Sequence, residues 1–288
     1  MEADQPAPFE TRADVVWTYD EMAERARQTR DFFAEKRIGI HRESALGVLL
    51  REAEALAREW NAGTNEGGIH RLIAAAHANR IAEAIDAVRS DANAGECLRR
   101  IAGNNVNLSD RSQSHGKNAL WELELLARLK RNGFNSKLAE PPDIVIDLDG
   151  APYSIACKKI YSERGAEAQV RKGVKQLEAS GHPGIIALNL DDLVPTGTLL
   201  EAGTLSQAHD FMNTFNVEFI TRQQPRIQRY IADGRCDGIL VSTSVPSGIE
   251  TVSPNFNNHN QTTLWTLNEA RPDARGRLYA LSEKLKGK

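Results

Sequence analysis

The stretch from Trp121 to Ile160, WELELLARLKRNGFNSKLAEPPDIVIDLDGAPYSIACKKI, constrains the fold of this chain more than any other. Leu125, Leu126 and Leu129 fall at helical spacing, so Trp121 to Asn132 is predicted to be a helix. Gly133 follows where a helix commonly stops in the left-handed conformation. Asp143 to Asp149 is short, apolar and β-branched, which makes it a strand. Asp149-Gly150 is a turn signal, and Tyr153 to Ile160 is the returning strand.

Polar residues sit inside these elements. Side chains alternate along a strand, so Asp143, Val145 and Asp147 share one face, and Ser154, Ala156 and Lys158 share another. A carboxylate and a lysine on neighbouring strands can therefore converge at one point. Glu122, near the start of the helix, is a third candidate. An oxygen-rich acidic corner suits Mg²⁺, which keeps several waters and needs only one or two protein carboxylates. A lysine beside it can orient or deprotonate a water and offset phosphate charge.

At these residues the chain resembles the PD-(D/E)XK nuclease superfamily, whose fold is restriction-endonuclease-like. The family pattern is a helix glutamate, a Pro-Asp opening a strand, and Glu-x-Lys on the next strand. Glu122 matches the first, Pro142-Asp143 the second and Lys158 the lysine, while Ala156 stands where the pattern has its second acid. The resemblance covers roughly the second half of the chain. It implies a Mg²⁺- or Mn²⁺-dependent DNA endonuclease and, through the family alone, a role in defence against foreign DNA. Asp143 and Glu122 would be metal ligands, and Lys158 would position the attacking water.

Several positions stay open beside this set. Lys159 is the alternative lysine, Glu124 the alternative helix acid, and Asp147 could supplement Asp143. The missing acid could be supplied from the next helix, and the resemblance favours Glu167 as a migrated carboxylate and Gln169 as a site-lining amide. If neither serves, restoring the acid with Ala156→Glu is expected to raise activity or tighten Mg²⁺ binding. Arg164, Arg171 and Lys172, with Lys159, are candidate phosphate contacts; the plainer alternative is a solvated helix face. A nuclease fold that lost its metal site and only holds DNA or a protein is the rival function. A sensing or dimerising helical half is another.

The rest of the chain frames that unit. Met1 to about Asp14 is aperiodic and expected to be a loose arm. Thr18 to Glu21 is a capping box opening a helix to about Lys36. Ser44 to Trp60, Gly68 to Val88 and Glu96 to Ile101 complete a helical region. His70 and His77 lie a heptad apart and could pair on a metal, but no third ligand is apparent and bundle-edge positions are the simpler assignment. The polar, turn-rich Asn104 to Gly116 is the best boundary, dividing a helical region, 1–110, from a nuclease-like domain, 111–288. His115 there is expected to be a loop residue. Beyond the hairpin, Glu163 to Ala179 is a helix, Gly184 to Leu190 and Cys236 to Thr243 are strands buried on both faces, and Ser206 to Ala232 is a helix interrupted at Pro225. Thr263 to Leu267 is a last strand and Arg275 to Leu285 a closing helix. Strand–helix–strand order implies parallel pairing. The expected fold is thus α/β, an N-terminal helical region followed by a mixed central sheet flanked by helices.

Composition limits the setting. The 288 residues are 41% hydrophobic with net charge −3, an ordinary globular balance that leaves a local basic groove open but suggests no nonspecific nucleic-acid coat. No apolar run approaches the ~18 residues of a membrane span. Three cysteines without metal-ligand spacing suggest reduced thiols and a cytoplasmic protein. A homodimer through the helical region is a further expectation.

Overall fold

The computed structural model describes residues 17–64 and 66–286; the expected N-terminal arm lies outside them. Four helices come first: α1 (Tyr19–Glu35), α2 (Ala45–Ala62), α3 (Gly68–Asp86) and α4 (Gly95–Gly103). The capping box forms as expected, with Thr18 Oγ1 accepting from the Glu21 N–H and the Glu21 carboxylate accepting from the Thr18 N–H. Ser44 caps α2, which ends at Gly63 in the left-handed conformation. Phe33, Leu46, Leu50, Ile81 and Ile85 from these helices are buried in one apolar cluster.

That cluster continues past the polar stretch 104–116. It runs through α5 (His115–Arg131), whose Trp121, Leu125 and Leu129 are buried in it, to Ile144, Ile155 and Ile185 on one face of a sheet. The helical region and the sheet therefore share a core. α5 starts six residues before Trp121, because Ser114 caps it. His115 is its first residue and is exposed.

The sheet has seven strands, ordered β1-β2-β3-β4-β6-β5 with β7 on β6. They are β1 (Ser136–Leu138), β2 (Ile144–Leu148), β3 (Ala151–Lys159), β4 (Gly184–Asn189), β5 (Leu200–Ala202), β6 (Gly238–Ile249) and β7 (Phe256–Trp265). β2 and β3 form the expected hairpin, turned by Asp149 (φ 54°) and Gly150 (φ 83°), the positive-φ pair that a type I′ turn needs. β3, β4 and β6 run parallel, as the connecting helices α6 (Ala166–Ser180) and α7 (Leu205–Ala232) require. α6 and α7 cover the second face, burying Ala156, Val170, Val174, Ile186 and Ile239 in a second cluster. α8 (Pro272–Leu285) closes the chain over the first cluster.

Several elements differ from the sequence expectation: β1 and β5 were not expected, and β6 runs on to Ile249. α7 runs unbroken through Pro225, because buried Phe219, Ile220, Ile227 and Tyr230 on both sides of it pack against the sheet and outweigh one lost hydrogen bond. β7 begins at Phe256 rather than Thr263, since its polar residues are paired along β6.

α6 lies close to the sheet at Gly173, where an added Cβ would lie 3.0 Å from Ile186 and 3.5 Å from the Ala156 Cβ. Ala156 is completely buried there. A glutamate at 156 would overfill this layer and place a charge in it. Whatever it does to Mg²⁺ binding, Ala156→Glu is predicted to cost about 3 kcal/mol or more in urea unfolding. Wild-type stability in that variant would contradict the packing.

Candidate functional site

Asp143 immediately precedes β2, and it is 8% exposed. A carboxylate so placed must be supplied with donors. Its Oδ2 accepts from the Cys157 N–H at 2.6 Å and from Lys158 Nζ at 3.1 Å; its Oδ1 accepts from Gln176 Nε2 at 3.1 Å. Lys158 Nζ also donates to the Cys157 carbonyl at 2.7 Å. Asp143 and Lys158 thus converge from neighbouring strands on the α6 side of the hairpin.

Glu122 arrives on α5 from the other side. It is half-buried, and its Oε2 accepts from Cys97 Sγ at 3.4 Å. Burial and then the negative charge of Asp143 push its carboxyl up to about 7, and Lys158 and Arg100 offset part of that. Burial also raises Asp143, opposed by Lys158, the Cys157 N–H and Gln176. Burial keeps the Cys97 and Cys157 thiols protonated; Glu122 reinforces this at both, and Asp143 at Cys157. Two carboxylates and one lysine leave the corner one negative charge in excess when all are ionised.

The alternatives fall elsewhere. Glu124 is buried in a two-bond ion pair with Arg80. Lys159, considered above as a phosphate contact, is 5% exposed on the opposite sheet face, where Nζ donates to Asn189 Oδ1 at 2.5 Å and Asp192 Oδ2 at 2.6 Å. It is committed to the interior and cannot meet a phosphate. Asp147 is exposed and accepts the Gly150 N–H at 2.7 Å, a turn role. Glu167 pairs with Arg229 of α7, away from Asp143. Arg164, Arg171 and Lys172 are exposed. His70 is exposed while His77 is buried, so they form no pair, and no group of three His, Cys, Asp or Glu side chains placed for a metal occurs among the described residues.

The glutamine that reaches Asp143 is Gln176, not Gln169. α6 runs back along β3, so its first turn lies near the end of that strand. Asp143 contacts Cys157 further back, and the residue level with it comes two turns later. The heptad from Gln169 to Gln176 was the available signal. A second polar group was also missed. Lys117 Nζ donates to Asp192 Oδ1 at 2.9 Å, and Arg80 Nη2 to Asp191 Oδ2 at 2.5 Å, joining α5 and α3 to the turn after β4.

The donor set fits a hard cation. Asp143 and Glu122 offer carboxylate oxygens, and Gln176 Oε1 is a buried amide oxygen with no protein partner. Mg²⁺ takes few protein oxygens and keeps waters, and a divalent charge would relieve the repulsion that raises Glu122. No family model, curated protein or solved structure matches the chain.

The raised Glu122 carboxyl has a stability consequence. Between its unfolded value and about 7 the folded state holds the extra proton, so stability falls as pH rises through that window. Glu122→Gln mimics the protonated form. In urea unfolding it should match wild type near pH ~4 and exceed it near pH ~8. A gap independent of pH, or one of opposite sign, would contradict the coupling.

Proposed function

We propose that this protein is a Mg²⁺-dependent phosphodiesterase of the PD-(D/E)XK type, acting on DNA. The observation that carries the proposal is the hydrogen-bonded pair of Asp143 and Lys158 on one hairpin, with the Glu122 carboxyl of α5 within reach of both charges. Mg²⁺ held by Asp143 and Glu122 would supply Lewis acidity toward a phosphate oxygen and a more acidic bound water. Lys158, already aimed by Asp143 and the Cys157 carbonyl, orients the attacking water and offsets phosphate charge. Gln176 fixes the Asp143 rotamer and offers Oε1 in place of the acid lost at Ala156. Exposed Arg164, Arg171, Lys172 and Lys175 on and before α6 line the approach as phosphate contacts.

A cytoplasmic setting accords with three free, buried cysteines, and no described helix is long and apolar enough to cross a membrane. The exposed apolar residues Trp60 and Ile69 belong to the helical region and are its candidate dimer contacts.

Nicking of supercoiled plasmid with Mg²⁺ or Mn²⁺ tests the proposal. Asp143→Asn and Lys158→Met should each lose about a hundredfold or more in rate. Gln176→Ala should lose more than Gln169→Ala, and Glu167→Ala should stay near wild type. If wild type matches the no-enzyme control with every metal, the nuclease reading gives way to a fold that only binds.

A further inference from the structure

The start of α4 is tied to the loop that delivers Asp143. Asn93 Nδ2, just before the helix, donates to the Leu138 carbonyl at 3.0 Å, and Asp91 Oδ2 accepts from the Leu138 N–H at 3.3 Å. The Asp143 carbonyl in turn accepts from the Ala139 N–H at 2.9 Å, which closes the loop between them. The helical region is therefore bonded directly to the site's own framework.

Helical spacing puts Cys97 and Arg100 on one face of α4. Cys97 Sγ lies 3.4 Å from Glu122 Oε2, so this face looks onto the second carboxylate of the site. The Arg100 guanidinium stands between two exposed acids. Its Nε donates to Glu96 Oε1 at 3.1 Å, one turn back on α4, and its Nη2 lies 4.0 Å from Glu140 Oε2 on the loop before Asp143. Against the cost of partial burial, Glu122 and then Glu140 hold it more firmly charged than an ordinary arginine.

A guanidinium carries five N–H donors in a fixed fork. Among the described residues only the Nε of Arg100 makes a hydrogen bond, since 4.0 Å is too long for one. The Nη1 and Nη2 groups make none, and the side chain is 33% exposed. An exposed pair four residues apart on a helix contributes little to stability, so the fold does not account for a cation here. A planar fork with unused N–H groups beside two carboxylates and a lysine suits the paired oxygens of a phosphate.

We propose that Arg100 is a catalytic residue supplied by the helical region, its Nη1 and Nη2 N–H groups holding the non-bridging oxygens of the scissile phosphodiester. This role rests on the nuclease reading and adds to it a residue that the resemblance does not cover. In hydrolysis a water oxygen bonds to phosphorus and the bond to the leaving sugar oxygen breaks; the water gives a proton to solvent and the sugar oxygen takes one from it. Charge shifts onto the non-bridging oxygens on the way, and donors already in place stabilise it there.

Three measurements on the full chain test it: plasmid nicking with Mg²⁺, titration calorimetry with Mn²⁺ alone, and anisotropy of a labelled DNA duplex without metal. Arg100→Gln should lower kcat about a hundredfold, with KM and duplex affinity within about threefold of wild type. Its Mn²⁺ affinity should be equal or higher, because a cation near Glu122 is gone. Glu140→Gln, which removes only a competing acid, should nick at least as fast as wild type. If wild type nicks and Arg100→Gln keeps its kcat, the role of Arg100 is overturned and the nuclease reading stands. If wild type nicks nothing with any metal, both fall. Loss of activity together with weakened Mn²⁺ binding, or an equal loss in Glu140→Gln, would make Arg100 a structural clamp and overturn the role as well.

Discussion

The arrangement of the candidate site depends on how the carboxylate of Asp143 is held. Buried at the opening of β2, it takes its hydrogen bonds from three separate sources: the β3 backbone at Cys157, the Lys158 ammonium and the α6 amide of Gln176. Hydrogen bonds to a charged group are worth about 1.5–3 kcal/mol each, so this one residue ties hairpin to helix. The tie is possible only because α6 lies close to β3, and that approach rests on Gly173 against Ala156. The small residue at 156 and the glutamine at 176 thus belong together: Ala156 leaves room for α6 to lie close, and the Gln176 amide N–H then reaches Asp143.

A second buried polar network fixes the helical region to the other side of the sheet. Asp192 receives both Lys117 and Lys159, and Arg80 spans Glu124 and Asp191. Against the cost of burial, Arg80 and Lys159 hold the Asp191 carboxyl well below the usual carboxylate range. Such pairs add little net stability compared with apolar packing, but removing one partner leaves an uncompensated charge at about 3–5 kcal/mol. They set the orientation of α3 and α5 on the sheet, and with it the position of Glu122.

Much of the fold was legible in the sequence where local chemistry and burial agree. The β2–β3 hairpin announced itself through alternation and Asp149-Gly150, and the first helices through Thr18 and Ser44. β6 and β7 were cut short because their outer halves, STSVPSGI and FNNHNQTT, carry no apolar pattern. Those residues are buried among other polar groups; Asn216 of α7, for example, accepts from Thr243 Oγ1 at 2.6 Å and donates to Thr263 Oγ1 at 3.2 Å. Lys158 and Lys159 were distinguished by strand parity, but the interior partner of Lys159, Asp192, lies 33 residues on and gives no local signal. Gln176 was missed because the level at which α6 meets Asp143 depends on the connection after β3.

The central claim is that Glu122 and Asp143 together form a cation site whose repulsion is relieved by the ion. Titration calorimetry with Mn²⁺ in buffers of different ionisation enthalpy tests it most directly, because it counts protons as well as ions. With the Glu122 carboxyl at about 7, binding near neutral pH should release about half a proton, and near pH ~9 almost none. Asp143→Ala should abolish the isotherm. A wild-type protein that gives no isotherm, or one that binds Mn²⁺ without releasing protons near neutral pH, would contradict the account.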